Sequence, residues 1–393
     1  MRDSLSIKIR YIFKKYKEIQ LKRKYSSVVA ALVFGGSALF ATETSTLEEA
    51  FKNGAIKGNV ALYGQSQKMD EGTPSKHGFS SGSTTLSYET APLHGVSLGM
   101  GAWGVAKFGE KNDDDYKNAI ANNALISEAY IKVEHEGMGK FIVGRQSVDL
   151  EWMSDFIEGA MFELSAIENL KLTLGWAKKY AVIDFDEVSP KFGKINGNDG
   201  VFVVDAKYTP IEWLELNPYY YYSSDMLSAL GLKTTLSAQI SEDIKSQTAL
   251  QYVKVNSDIT NTPDGDVTRL EQGVELYGAT LALGYIKVDK NGTAGLGAFG
   301  DQMPLEEGNH MLDPNAKTPY FSAKVEIEGV KLSALYGETK YFDTINLKEK
   351  ELNLGIGYEF IKQLEGELIY ADIKNDAKAD SYQVVKALLK YTF

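Results

Sequence analysis

Short segments in which apolar and polar residues alternate recur along most of the chain. The last of them, at 384–393, places five residues on its apolar face: Val385, Ala387, Leu389, Tyr391 and Phe393. The opposite face carries Lys386, Lys390 and Thr392, and segments at 170–176, 232–239 and 351–360 repeat the pattern. A period of two residues predicts β-strands that have one apolar and one polar face.

The composition of the two faces separates a membrane barrel from a soluble β-sandwich. Aliphatic side chains dominate the apolar face and aromatic ones lie towards the strand ends, as the interface girdles of an outer-membrane barrel require. Eighteen such segments can be counted in the sequence, and sixteen is the alternative count. Most approach the length of about 9–11 residues that a tilted membrane strand needs.

The connections between these segments alternate between two lengths. Eight are short turns and nine are longer stretches, among them 290–318 and the stretch 68–82, which is followed by a predicted strand at 83–90. Tight turns at one end and long loops at the other are typical of up-and-down outer-membrane barrels. The pattern therefore predicts an all-β fold, an up-and-down antiparallel transmembrane β-barrel of 18 strands, over residues 56–393.

The first 41 residues have a different character. Nine Lys or Arg side chains lie within residues 1–24, an apolar stretch follows from Ser26, and the segment closes at Ala41. This order predicts a signal peptide at 1–41, with an uncleaved anchor as the alternative. A short periplasmic segment, 42–55, follows; its Thr46 and Glu49 have capping-box spacing for a helix that ends at Gly54.

Charge and cysteine content exclude further classes of protein. The chain has 42 Lys and Arg against 53 Asp and Glu, and residues 1–41 hold nine of the basic and two of the acidic side chains. The remainder carries a formal charge of −18, from 33 basic and 51 acidic side chains, which argues against a nucleic-acid partner. The absence of cysteine removes disulfides and thiolate metal sites, and no cofactor is predicted.

Two short motifs match enzyme signatures by their letters alone. The stretch 78–82, GFSSG, fits G-x-S-x-G, but we expect it in a loop and not between a strand and a helix. The stretch 295–300, GLGAFG, fits a dinucleotide fingerprint but lacks the βαβ unit, so a flexible glycine-rich loop is the preferred interpretation. Because no convincing Ser/His or Asp/His pairing is present, the sequence does not predict an enzyme.

Histidines and one acidic run are weak candidates for a metal site. The histidines are His77, His94, His135 and His310. They lack ligand spacing and are expected on the surface or in loops. Three consecutive aspartates at 113–115 could bind Ca²⁺ through oxygen ligands, but a solvated acidic loop is the favoured interpretation.

A cluster of charged residues lies between positions 128 and 179. The polar faces of neighbouring predicted strands carry Glu128, Lys132, Arg145, Lys171 and Lys179. The third long connection combines large apolar side chains with four acids: Asp149, Glu151, Asp155 and Glu158. If this connection folds into the lumen, its carboxylates face a basic wall and orient dipolar solutes. An ordinary external loop beside a solvated strand face explains the same residues equally well.

Three stretches of the chain resemble Opr (OprD-like) outer-membrane porins. They are 46–65 (TLEEAFKNGAIKGNVALYGQ), 140–163 (KFIVGRQSVDLEWMSDFIEGAMFE) and 388–393 (LLKYTF). The resemblance implies an 18-stranded barrel whose third loop narrows the pore. It implies an oligomeric state between a monomer and a trimer. It also implies that Arg145 lines the lumen at this constriction, that the acids of 149–158 belong to the constriction loop, and that Phe393 ends a signal read by the barrel-assembly machinery.

One departure from the resemblance affects selectivity. Well-known family members line the pore with arginines, whereas residues 42–393 contain only Arg145 and Arg269. Lysines supply most of the positive charge on the polar faces: Lys132, Lys171, Lys207, Lys233, Lys331 and Lys386. Because lysine offers a point charge and not a planar fork, a preference for carboxylates or basic amino acids does not carry over.

The sequence thus predicts a porin, embedded in the lipid of the outer membrane of a Gram-negative bacterium, that passes ions and small polar solutes by passive diffusion. The residues expected at the pore constriction and lumen are Arg145, Lys132, Lys171, Lys207, Asp149, Glu151, Asp155 and Glu158. A structural or adhesive barrel with a closed lumen is the alternative function, and a barrel hydrolase is a third hypothesis.

Overall fold

The computed structural model describes residues 44–72, 74–300 and 303–393, so the predicted signal peptide at 1–41 lies outside the described residues. Within these ranges the chain forms nineteen β-strands, of which eighteen build one closed wall. In chain order the strands are β1 Ala55–Met69, β2 Lys76–Glu89, β3 Val96–Glu110, β4 Ala124–His135, β5 Gly139–Ser147, β6 Phe156–Leu164, β7 Leu170–Ala181, β8 Gly193–Lys194, β9 Val201–Ile211, β10 Leu214–Ser223, β11 Leu227–Ser241, β12 Ile244–Ser257, β13 Gly265–Leu276, β14 Ala279–Val288, β15 Lys317–Ile327, β16 Val330–Phe342, β17 Asn346–Ile361, β18 Leu364–Asn375 and β19 Tyr382–Thr392. The two-residue β8 pairs with β7 and is not a wall strand.

Each wall strand pairs antiparallel with the wall strands that precede and follow it, and β1 closes the barrel against β19. The closing register runs from Asn59 opposite Thr392 to Met69 opposite Tyr382. A closed ring leaves no strand edge unpaired, which lipid requires because it cannot satisfy backbone hydrogen bonds. The predicted fold and the predicted number of wall strands are therefore confirmed, and the alternative of sixteen strands is wrong.

The wall strands are joined by eight short turns at one end, called here the turn end, and by nine connections, most of them longer, at the other, the loop end. The connections of the loop end are loop 1 (70–75), loop 2 (111–123), loop 3 (148–155), loop 4 (182–200), loop 5 (224–226), loop 6 (258–264), loop 7 (289–316), loop 8 (343–345) and loop 9 (376–381). Short and long connections mostly alternate, as the sequence predicts, except that loops 5 and 8 have only three residues each.

The barrel wall has its apolar face outside and its polar face inside. On β17, Leu354 is 43% exposed and Phe360 is 55% exposed, whereas Glu351 on the opposite face of the strand is only 1% exposed. The last strand, β19, shows the same arrangement, because Leu389 is exposed and Lys390 is buried. A surface of this composition is stable against hydrocarbon and not against water, so the wall is built for a lipid bilayer.

Helix α1 (Leu47–Lys52) precedes the wall at the turn end. Thr46 is its N-cap, with Oγ1 accepting from the Glu49 N–H at 3.2 Å. The Glu49 carboxylate reaches Ser45 N–H instead of closing a reciprocal box on Thr46. Asn53, whose N–H still donates to the Glu49 carbonyl, caps the C-terminus one residue before the predicted Gly54. No helix among the described residues has the length and apolar character needed to cross a bilayer.

The largest error in the predicted boundaries concerns β2. This strand begins at Lys76 and not at 83, so the GFSSG motif lies inside a strand and loop 1 is shorter than expected. Phe79 and Ser81 are buried on the inner side, and Gly82 lies beneath the Phe108 ring, where a Cβ would be 2.4 Å from a ring carbon. Glycine and serine have low strand propensity, which hid the first half of β2 in the sequence.

Candidate functional site

Three of the long loops fold back into the barrel. Their apolar side chains are among the most buried of the described residues: Trp152 and Met153 in loop 3, Ile183 and Phe185 in loop 4, and Leu296 and Met311 in loop 7. Those of loops 3 and 7 share one cluster with inward side chains of the wall, and those of loop 4 share another with the inner face of β1 to β3 and with Tyr116 and Ile120 of loop 2. The lumen is therefore narrowed from inside by loops 3, 4 and 7.

Loop 3 lies against the inner wall formed by β10 to β12. The backbone N–H of Trp152 donates to Tyr221 Oη at 3.1 Å, and its indole N–H donates to Tyr219 Oη at 3.1 Å. The buried carboxylate of Glu151 accepts from Lys233 Nζ at 3.1 Å and from the Gln251 amide at 3.0 Å. These contacts fix the third connection inside the barrel. The sequence had left undecided whether this connection enters the lumen or stays outside.

Arg145 lies where β4 and β5 separate. Pairing between the two strands ends at Ala129 opposite Arg145, although β4 begins at Ala124 and β5 continues to Ser147. The Arg145 guanidinium donates to the carbonyl of Ile126 at 3.1 Å, and it lies 4.5 Å from the centroid of the Phe192 ring of loop 4. Arg145 thus fills the gap between two wall strands and contacts an inserted loop.

The predicted acids are paired with nearby cations and hydroxyls. Glu158, predicted as an acid of the third connection, lies instead in β6 because that strand begins at Phe156. It accepts from Arg145 Nε at 3.1 Å and from Lys179 Nζ at 2.5 Å, so three adjacent strands share one ion cluster. Asp155 accepts from Tyr180 Oη at 2.8 Å, which ties the end of loop 3 to β7. Asp149 is exposed on the same loop.

The predicted lysines of the strands lie closer to the turn end and apart from loop 3. Lys132 binds Glu89 at 2.6 Å, and Lys171 binds Glu163 at 2.8 Å. Lys207 is exposed and stands opposite Lys171 in the register of β7 and β9. The eight predicted residues therefore fall into two groups: the acids and Arg145 towards the loop end, and three lysines on the strand faces below.

Loop 7 is a large part of the inserted structure that the sequence did not identify. The backbone N–H groups of Glu307 and Gly308 donate to the buried Glu351 carboxylate of β17 at 2.7 and 2.9 Å. His310 stacks on the Tyr341 ring with centroids 4.0 Å apart. The available signal was composition, because five large apolar residues recur between positions 296 and 311 of a connection expected in water.

Loop 4 crosses the lumen from β7. Its Phe185 ring packs on Trp103 of β3 at a centroid distance of 5.1 Å, and Asp186 binds Lys386 of β19 at 3.3 Å. Lys386 was predicted only as one of several polar-face lysines. In the structure it is the wall residue at which loop 4 and loop 7 meet, since Glu306 of loop 7 also binds it, at 2.7 Å.

Several weaker sequence predictions are corrected. The GLGAFG segment is not a flexible loop, because a 3-10 helix at Leu296–Phe299 is buried in the cluster of loops 3 and 7. His310 does lie in a loop, as expected, but it is largely buried there. His77 is partly exposed but lies in β2, and it bonds Asp115 at 2.8 Å. Burial acts to raise the pKa of Asp115, but hydrogen bonds from His77, Gly78 and Asn112 outweigh it and lower the pKa.

Asp115 is therefore a structural acceptor at the start of helix α2 (Asp115–Ala119) and not a solvated loop acid. In the parts of the chain that the structure describes, no group of three or more His, Asp or Glu side chains is placed to hold a metal ion.

Two cavities flank the inserted loops. One of about 330 Å³ lies on the inner wall of β9 to β13, between Lys233, Arg269, Glu271 and Trp213. The other, of about 310 Å³, lies at the loop end, and its acidic lining consists of Asp115, Asp186, Glu187 and Asp380. A solute entering from the loop end meets carboxylates before it meets the lysines of the lower wall.

A closed barrel with an apolar outside, a polar inside and loops that narrow the lumen is the architecture of an outer-membrane channel. The family model described as Gram-negative porin matches residues 27–378, and the chain belongs to this family. It is accordingly a passive channel of the outer membrane of a Gram-negative bacterium, and the predicted likeness to OprD-like porins is confirmed.

Solved porin structures share this fold at low sequence identity. OccAB4 of Acinetobacter baumannii has a TM-score of 0.73 and 14% identity, over 90% of this chain and 99% of that chain. OccD3 (OpdP) of Pseudomonas aeruginosa gives 0.68 and 16%, over 90% and 93%, and OprD of the same organism gives 0.67 and 13%, over 90% and 97%. No curated protein sequence matches the chain.

Proposed function

We propose that this porin passes small cations and cationic polar solutes in preference to anions, and that loops 3, 4 and 7 form its narrowest part. Loop 3 alone was the expected constriction. The burial of apolar side chains from loops 4 and 7 inside the same barrel supports a constriction made by all three.

The observation that carries the cation preference is the charge of the loop end. The described residues of the nine loops contain 22 Asp and Glu side chains against six Lys and Arg, whereas the eight turns contain six acids and one base. A channel mouth lined by one sign of charge concentrates ions of the opposite sign. Lysines and arginines inside the lumen are largely paired with carboxylates, so they offset this potential only in part.

The test is the zero-current potential of single channels in a planar bilayer under a potassium chloride gradient. We expect the sign of the zero-current potential to show that potassium passes more readily than chloride. We expect the size of this potential to decrease in concentrated salt, because exposed charges are then screened. A potential of the opposite sign would overturn the cation preference. Absence of current from well-folded protein would favour the closed-lumen, adhesive barrel, which the dense packing of loops 3 and 7 makes a serious second candidate.

Five further expectations belong to this proposal. Residues 1–41 act as a signal peptide, 42–55 lie in the periplasm, and the loop end faces the outside of the cell. The C-terminal Phe393 is read by the barrel-assembly machinery. The conducting unit is one barrel, even within a trimer, because each barrel holds its own loops 3, 4 and 7.

A further inference from the structure

Lys386 is the point at which two loops from different parts of the wall meet. Its ammonium lies 2.7 Å from Glu306 and 3.3 Å from Glu307 of loop 7, and 3.3 Å from Asp186 of loop 4. The lysine side chain is 7% exposed, so these contacts are shielded from bulk water. One cation therefore binds three carboxylates, two from one loop and one from the other.

The two loops reach Lys386 from opposite directions. Loop 4 starts from β7, which is seven wall strands from β19 by way of β1, and it is held on the way by the Phe185 and Trp103 rings. Loop 7 starts from β14 and is anchored to β17 through Glu351. No other wall cation has contacts to both loops among the ion pairs of the described residues.

We propose that Lys386 is a positioning residue that joins loops 4 and 7 into a single constriction. It acts by neutralising carboxylates that would otherwise repel one another across the lumen. Its loss leaves Asp186, Glu306 and Glu307 close together without a counter-charge, and like charges at short range repel one another. The inference rests on the proposed permeation path through these loops.

The experiment compares single-channel conductance and zero-current potential of the full chain and its variants in planar bilayers. Lys386→Gln is expected to increase the conductance and to move the zero-current potential towards the cation limit, because the aperture widens and gains net negative charge. Lys386→Arg keeps the positive charge and is expected to stay close to the wild type in both quantities.

Lys390 provides a matched control. It is buried on the same strand and the same face, but it binds one carboxylate, Glu365 of the adjacent strand, at 2.6 Å. Lys390→Gln removes an equivalent buried charge without releasing a loop. If Lys390→Gln and Lys386→Gln change conductance and potential alike, the effect is that of any buried lysine and the proposal fails.

A double-mutant cycle tests the link between the loops directly. Asp186→Asn frees loop 4 alone and is expected to raise conductance less than Lys386→Gln does. Since both changes break the same link, the double variant is expected to match Lys386→Gln, whereas additive effects would contradict the proposal. If Lys386→Gln does not fold, Asp186→Asn carries the test, and wild-type behaviour of that variant overturns the link.

Failure of the proposed function gives a different result from failure of this inference. A wild type that passes no current, or that prefers anions, refutes the proposed function. A conducting, cation-preferring wild type with an unchanged Lys386→Gln variant refutes only the role of Lys386.

Discussion

Glu151 of loop 3 and Lys233 of β11 lie 82 residues apart in the chain and are joined by two contacts of 3.1 Å between the ammonium and the two carboxylate oxygens. The carboxylate is 4% exposed and also accepts from Gln251. A surface loop does not bury a carboxylate in this way, because desolvation of a charge is costly unless hydrogen bonds replace the lost water. The pair shows that loop 3 is bound at a defined position on the inner wall.

Glu151→Gln is expected to weaken the attachment of loop 3 to the wall. The substitution removes the charge-assisted bonds and leaves Lys233 without its carboxylate, which for a buried hydrogen-bonded charge costs about 1–3 kcal/mol. The measurement is the thermal unfolding midpoint of detergent-folded protein, detected as the difference in gel mobility between unheated and heated samples.

The exposed pair Lys245 and Glu275 gives the control. These side chains are 3.7 Å apart and about half exposed, so Glu275→Gln is expected to change stability by less than about 1 kcal/mol. Equal shifts of the midpoint in the two variants would show that Glu151 does not hold loop 3.

Arg145→Ala is expected to change single-channel conductance or the zero-current potential without preventing insertion. The substitution frees the Ile126 carbonyl at the separation of β4 and β5, and it removes one of the two cations on Glu158. Arg145→Lys is expected to restore the charge but not both contacts, because lysine lacks the planar fork.

Unchanged conductance and potential in Arg145→Ala would exclude Arg145 from the constriction. Lys171→Ala is a useful comparison, because Lys171 is a more exposed cation near the turn end with its own carboxylate, Glu163. The constriction assignment predicts a smaller effect on the zero-current potential there than at Arg145.

The wall could be predicted from the sequence because its signal is local. Alternation of side chains on a strand such as β17 is determined by neighbours two residues apart, and lipid and water sort them in the same way along the whole strand. β2 shows the limit of this argument. Its inner face carries Phe79 and Ser81, whereas its outer face carries Gly78, Ser80 and Gly82, so the first half of the strand has no apolar outer stripe to reveal it.

The site was predicted less completely because it is built by long-range contacts. Trp152 and the acids beside it made loop 3 a candidate for entering the lumen. Its partners Tyr219 and Lys233, however, lie on strands far along the chain, and no local sequence pattern shows that these strands come close to loop 3. The same holds for Lys386, which alternation places on the polar face of β19 without indicating that loops 4 and 7 bind it. Local periodicity gives the face of a residue, and only the folded barrel gives its partners.

His310 is expected to make the attachment of loop 7 depend on pH. Burial acts to lower the pKa of His310, but the hydrogen bond to Asp313 and the charges of Glu349, Asp313 and Asp380 outweigh it and raise the pKa above 6.5. A folded-state pKa above the unfolded value means that the stabilisation is complete below about pH 6.5 and is lost as the pH rises through the folded-state value. Tyr341, stacked on the imidazole, adds no charge at these pH values.

Conductance is therefore expected to rise, and to become noisier, as the pH is raised above 6.5 and loop 7 loosens. The check is a pH titration of single-channel current for the wild type and His310→Asn, in which the step should disappear. His77→Asn is the matched control, since His77 bonds Asp115 of loop 2 and the hydrogen bonds and ion pairs of the described residues do not join it to loop 7. A step that persists in His310→Asn and disappears in His77→Asn would reverse the assignment.

Phe393→Ala separates the stability of the finished barrel from its assembly in the cell. The backbone of Phe393 exchanges two hydrogen bonds of 3.0 Å with Gly58, and these remain when the ring is removed. The ring itself is half exposed; it lies beside the Tyr391 ring, with centroids 6.4 Å apart, and over Gly58. Refolding into detergent is therefore expected to be nearly unaffected.

Assembly in the outer membrane is expected to fall sharply in the same variant, because the terminal aromatic residue is proposed to be the feature that the assembly machinery reads. The measurement is the amount of heat-modifiable barrel in outer-membrane fractions, with Tyr391→Ala as the control for loss of one exposed aromatic ring from the same face of β19. Equal losses for both variants, or a loss in detergent refolding as large as that in cells, would mean that the ring serves the barrel and not its recognition.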